Sequence, residues 1–237
     1  MEKENLEKNF EEVRNQVTSK FQPYSHYRES AWQSLTGRWN DAALTMLIAV
    51  ALVLAMYIIP IIIAACGLPG LAAAFYSLGT LAAVLLAVPV LWSFSIALLN
   101  MVRGEKAAFF NATVDDFKAN YMRTVPTAFV VSLITMVASA LTLGIGGVYF
   151  GIAYSMVPFL MHDHKDLTLI DAMKASRNLM DGHKMDLLML LITFIGWFIL
   201  GSITCGIAYL WIQPYIYTTL AHFYEEIKAG VKIEVKK

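Results

Sequence analysis

Between residues 162 and 184 the chain gathers side chains able to do chemistry: His162, Asp163, His164, Asp166, Asp181 and His183. Imidazole with carboxylate is a ligand set for Zn²⁺. Helical zinc sites need their ligands one turn apart on one face, as in HExxH, whereas His162, Asp163 and His164 are consecutive. The chain also lacks any CxxC pair. The reading is therefore no metal and no cofactor, with a polar boundary where a span leaves the membrane. Nucleophilic catalysis has as little to stand on, because there is no GxSxG, no P-loop and no serine beside a credible base within the apolar stretches. The expectation is that the protein is not an enzyme. One other constellation stands out: Gln213, Pro214 and Tyr215 with Trp197 and Trp211 place a few polar groups in an aromatic setting. Such a setting lines substrate cavities, and it also serves plain packing.

The elements that carry these residues are apolar. Residues 187–223 run 37 positions without one Asp, Glu, Lys or Arg, and a spanning helix needs about 20. With 58% hydrophobic and 15% charged residues, the composition lies outside that of soluble domains, which carry about 25% charged residues. The fold class expected is all-α: a polytopic helical bundle of six spans in three hairpins, near residues 42–65, 71–102, 125–143, 147–162, 187–204 and 207–224. Residues 1–40 read as amphipathic cytosolic or interfacial helices, 41–224 as the membrane domain and 225–237 as a cytosolic tail.

Each hairpin has an amphipathic lead-in. Leu6, Phe10, Val13 and Val17 share one side of a helix; so do Phe110, Val114, Phe117 and Tyr121, and again Leu169, Met173, Ser176 and Met180. Thr168 followed by Asp171 has the form of a capping box. Trp32 and Trp39 suit the headgroup level, which indole prefers. Pro89, Pro158 and Pro214 each fall inside a returning helix, which suggests a threefold internal repeat.

Charge placement gives the orientation. Lys and Arg number six before the first span, four in residues 103–123, four in residues 165–184 and four after residue 224, which accounts for all 18. The positive-inside rule then puts both termini and both long connectors in the cytosol. No Asp, Glu, Lys or Arg lies within the expected spans, which argues against a proton-coupled pump or voltage sensor. A formal net charge of zero gives no basis for a nucleic-acid partner. His222, at the cytosolic end of the last span, reads as interfacial. Cys66 and Cys205 fall on the opposite, oxidising side, where a bridge is chemically permitted and geometry decides.

The segments SAWQSLTGRWND (30–41), VPFLMHD (157–163), DAMKASRNLMDGHKMDLLMLLITFIGWFIL (171–200) and GIAYLWIQPYIYTTLAHFY (206–224) resemble the domain-of-unknown-function 975 family of bacterial integral membrane proteins. The resemblance implies a bacterial inner-membrane location. It also implies a fold like the membrane domain attached to some bacterial glycerophosphodiester phosphodiesterases, which hints at lipid or phosphodiester metabolism. Asp163, Ser176, Arg177, Gly182, His183, Lys184, Trp197, Pro214, Tyr215 and Tyr224 match its pattern, and the role expected for the connector residues is architectural. Asp163 would cap the following turn, Arg177 would pair with Asp163 or a lipid phosphate, and Gly182 would allow a sharp, crowded entry into span five. The functional expectation is handling of a lipid or small amphipathic molecule within the bilayer. The alternative is a non-catalytic assembly subunit that holds a membrane-protein partner.

If the orientation is right, Lys118→Cys and Lys174→Cys, each made in a Cys66→Ser, Cys205→Ser background, resist a membrane-impermeant thiol reagent in intact spheroplasts and react after lysis. Labelling of either site before lysis overturns it.

Overall fold

The computed structural model describes residues 24–106 and 108–230, and all regular structure in them is helical. The amphipathic pattern at residues 2–20 and the tail beyond residue 230 lie outside the described residues. α1 (Tyr24–Leu35) leads through a turn at Gly37 into α2 (Trp39–Ala65), and α3 (Pro69–Val102) folds back against it. Their backbones come close at Gly79, where an added Cβ would stand 3.1 Å from the Met56 carbonyl oxygen. That is the close approach small residues permit between membrane helices.

α4 (Phe109–Leu141) is one continuous helix of 33 residues. The expected connector helix and span three are therefore a single element, with Pro126 inside it. A turn through Gly144 leads to α5 (Ile145–Ala153) and α6 (Val157–Asp163), so the expected fourth span is interrupted at residues 154–156. α7 (Leu169–Leu179) starts at Thr168, whose Oγ1 accepts from the Asp171 backbone N–H at 3.3 Å and so forms the expected cap. α8 (Lys184–Ile192) and α9 (Ile195–Ile203) meet at a 42° bend, and α10 (Tyr209–Gly230) completes the chain. The expected tail from residue 225 is thus helical as far as Gly230.

Among the described residues three stretches are long and apolar enough to cross a membrane: Trp39–Ala65, Phe109–Leu141 and Ile145–Asp163. Lys184–Ile203 makes a fourth if the bent pair is counted as one. The helices are those of a membrane-compatible all-α bundle, with three or four stretches able to cross where the sequence reading expected six. The proline pattern of the repeat also loosens. Pro89 and Pro214 lie inside helices, but Pro158 opens α6, and Pro60 and Pro126 sit in helices that lead rather than return.

Burial is unequal along the bundle. Packing concentrates at the charged ends of the helices, where Tyr27, Leu99, Met156, Phe159, Leu160, Phe223 and Tyr224 form one cluster. Leu35, Met46, Phe94, Leu98, Phe194 and Tyr215 form a second beside it. α10 contributes to both clusters, and it packs on α1, α2 and α3. Toward the uncharged turns the side chains are apolar and exposed, among them Leu54, Ile61, Leu78, Leu141, Ile145 and Ile203. An apolar surface of that extent suits lipid rather than water.

Candidate functional site

Asp163, the last residue of α6, sits where the charged ends of three helices converge. Arg103, just past α3, meets it through two parallel bonds: Nη1 donates to Oδ1 at 2.7 Å and Nη2 to Oδ2 at 2.8 Å. From α10, the Tyr224 hydroxyl donates to Oδ2 at 2.8 Å and Lys228 Nζ donates to it at 2.5 Å. Arg103 also donates from Nε to Glu225 Oε1 at 2.8 Å. The Asp163 side chain is 9% exposed. The fork geometry of guanidinium on carboxylate is the strong form of this bond, and the hydrogen bond to Asp163 drives the Arg103 pKa upward. Two cations face two carboxylates, so the cluster is formally neutral, and both Asp163 oxygens are engaged. Chemically it is a clamp between α3, α6 and α10.

This changes two expectations. Asp163 does not cap the turn after it, because Arg103, Tyr224 and Lys228 take its oxygens and Thr168 does the capping. Nor does Arg177 pair with it: Arg177 is exposed on α7, and its charge acts on Asp181. A second arginine closes the other side of α6. Arg123 donates to the carbonyls of Met161, His164 and Leu167 at 3.1, 2.9 and 2.7 Å, and so satisfies the oxygens a helix C-terminus leaves open.

The remaining connector residues are separate fittings. Ser176 is buried and donates to the Ala153 carbonyl at 2.8 Å, which docks α7 on the end of α5. Gly182 has φ +83° and open space where a Cβ would stand. Its need for glycine is thus backbone conformation, at about 1–2 kcal/mol for an L residue, and the expected crowding is absent. Lys184 bonds Asp181 at 2.9 Å and lies over the Tyr149 ring, while His183 stands 3.5 Å from Asp186. His162, Asp163 and His164 diverge, with His162 Nδ1 3.6 Å from Asp116 Oδ1. Among the described residues no three of His, Cys, Asp and Glu come together as a metal site. Cys66 and Cys205 are both free and exposed.

Two hollows remain. One is aromatic: Trp32, Trp39, Trp197, Trp211 and Tyr215 line a cavity of about 390 Å³ beside α9 and α10. Pro214 and Tyr215 are buried, and the two carbonyls they leave inside α10 accept from Thr218 and Thr219 at 2.8 Å each. His222, two turns on, meets Ser34 Oγ at 3.0 Å. The other is an apolar cleft between α2, α3 and α4, formed by two hollows of about 340 and 290 Å³ that share Met46, Ala49, Leu52, Val90, Leu91 and Phe117. Phe110, Val114 and Phe117, the amphipathic face read from the sequence, line this cleft.

Of the matched residues, the structure brings Asp163 together with Tyr224 in the clamp, and Trp197 with Tyr215 in the aromatic cavity. It keeps Ser176, Arg177, Gly182, His183 and Lys184 apart from both. Arg103, Lys228 and Glu225 were not singled out by sequence reasoning. The available signal was that Arg103 and Lys228 are the first basic residues beyond two long uncharged runs, and such a cation must find an anion or water.

The family model described as Protein of unknown function (DUF975) matches residues 120–230, which takes in the resembling segments 157–163, 171–200 and 206–224 but not 30–41. The match takes in Asp163, Tyr224 and Lys228 of the clamp and Trp197, Trp211 and Tyr215 of the aromatic cavity. Neither a curated protein nor a solved structure matches the chain.

Replacing Asp163 by Ala leaves Arg103 and Lys228 facing one another without their shared anion. The expected loss is about 1.5–3 kcal/mol, measured by thermal unfolding in mild detergent. Arg177→Ala is expected within about 0.5 kcal/mol of the parent. Equal effects of the two would contradict the assignment.

Proposed function

We propose that this protein sits in the bacterial inner membrane with its charged end in the cytosol, and there holds the apolar part of a lipid or small amphipathic molecule without catalysing a reaction on it. The supporting observation is the cleft between α2, α3 and α4. Its lining on α2 runs from Thr45 to Met56, about 17 Å of helix, which suits an extended chain. Thr45 and Thr113 line it too, but each hydroxyl donates to a carbonyl of its own helix, at 2.8 and 2.7 Å. Lys118 is then the polar group left to meet a headgroup. A hollow with apolar walls and one cation takes an amphiphile more readily than a fully polar solute.

The second reading, an assembly subunit, draws on the same apolar walls, since a partner helix can lie in such a groove. The two part under one experiment. Gentle extraction followed by mass spectrometry is expected to find lipid retained by the parent, and Ala49→Trp and Leu91→Trp, which fill the cleft, are expected to retain several-fold less while unfolding at the parent temperature. Unchanged lipid content in both filled variants would contradict lipid handling at this site. A defined membrane-protein partner lost from the same variants would then favour assembly.

A further inference from the structure

The aromatic cavity has a composition that calls for a particular ligand. Four of the chain's five tryptophans line it. Trp32, Trp39 and Trp197 each meet Tyr215 at a steep angle, with centroids 5.8, 6.0 and 5.8 Å away. Leu200, Ala208 and Ile212 complete the lining with Trp211, and none of the lining residues is charged.

Aromatic faces carry the negative lobe of the ring quadrupole and attract cations. The donor inventory decides which cation. Indole N–H donates only, and the Tyr215 hydroxyl already accepts from Arg28 Nε at 3.4 Å. A primary ammonium entering here would lose its hydrogen bonds to water without replacement. A quaternary ammonium has no N–H to satisfy, so it loses least.

Arg28 supplies the other half. It is half-buried, its guanidinium lies 5.7 Å from the Phe194 centroid, and it has no carboxylate partner among the described residues. A bare cation in the cavity would be opposed by this charge. A ligand with an acidic group beside its quaternary ammonium would match both features. We propose that the cavity binds a zwitterionic quaternary-ammonium group of the phosphocholine or betaine kind, the methylated nitrogen against Trp39, Trp197 and Tyr215 and the acid at Arg28. The site shares no lining residue with the α2–α3–α4 cleft, so it goes beyond the function proposed above and is tested separately from it.

The test follows tryptophan emission of the full chain in maltoside micelles during titration with phosphocholine, glycine betaine, tetramethylammonium and phosphoethanolamine. A parallel arm uses nanodiscs of phosphatidylglycerol with and without phosphatidylcholine. Saturable changes are expected for phosphocholine or betaine, about tenfold tighter than for phosphoethanolamine, and weakened about tenfold in Trp39→Leu and Trp197→Leu. Arg28→Gln is expected to weaken the zwitterions while leaving tetramethylammonium unchanged or improved. If that variant does not fold, the parent's preference for phosphocholine over tetramethylammonium reports the same contribution. Trp92→Phe, outside the cavity, serves as the control and leaves binding intact. A response confined to phosphatidylcholine nanodiscs assigns the group to a lipid headgroup, and a response to the soluble zwitterions assigns it to a free solute. Equal affinity for phosphoethanolamine, an undiminished response in Trp197→Leu, or no saturable response in either arm overturns the proposal.

Discussion

Between helices in a bilayer, the lipid tails are as apolar as any leucine, so the hydrophobic effect does little to hold one apolar helix against another. Polar bonds and close packing must do more of that work. The Asp163 clamp is where this chain concentrates them: one carboxylate collects Arg103 from the end of α3 and Tyr224 and Lys228 from α10. Arg123 then fixes the carbonyls on the other side of α6. Four elements are thereby tied at one end, and the two main core clusters form around that knot. Among the described residues, the opposite halves of α2, α3 and α4 show no such fastening. They stay apolar and exposed, whereas the cleft lies nearer the charged ends, lined by residues 45–56 of α2, 86–94 of α3 and 110–118 of α4.

A neutral cluster built on one nearly buried carboxylate is a good place to set geometry. Removing Asp163 leaves two half-buried cations without their shared anion. The clamp fixes the depth and rotation of α10, and with them the position of Tyr215, around which Trp32, Trp39 and Trp197 assemble. α1 is held to α10 by Ser34 on His222 and by Arg28 on Tyr215, which brings a helix from before the first apolar run into the wall of the cavity. The expectation that Trp32 and Trp39 lie side by side at an interface is thus joined by a second role: their rings are 4.9 Å apart and both face Tyr215.

Much of the architecture was legible because periodicity and charge are local properties. The face Leu169, Met173, Ser176, Met180 told correctly which side of α7 turns inward, and Thr168 with Asp171 marked where it starts. The continuity of α4 was not legible. A polar stretch followed by an apolar one looks like two elements when only composition is read, yet Arg123 and Asp116 find partners on α6 and the loop after it, and the helix carries on. The break before α6 falls just ahead of Pro158, which has no N–H to continue the helix onto the Tyr154 carbonyl; the sequence reading placed that proline inside a continuous span. The break within α8–α9 has no glycine or proline at it. Ser155 and Thr193 sit at the two breaks, and each hydroxyl bonds a carbonyl three residues back, at 2.8 and 2.6 Å. Such back-bonding bends helices. The clamp could not have been read from one sequence, since Asp163 and its partners lie 60, 61 and 65 positions apart, and only the fold reports which of several cations an aspartate meets.

The account stands on the claim that Arg103 and Asp163 act as one unit holding α3 to α6. A double-mutant cycle measures this directly: unfolding free energies in mild detergent for the parent, Arg103→Leu, Asp163→Leu and the double variant. A coupled pair gives an interaction energy of about 1.5–3 kcal/mol, with the double variant less damaged than the sum of the single ones. Additivity within about 0.5 kcal/mol would contradict the claim.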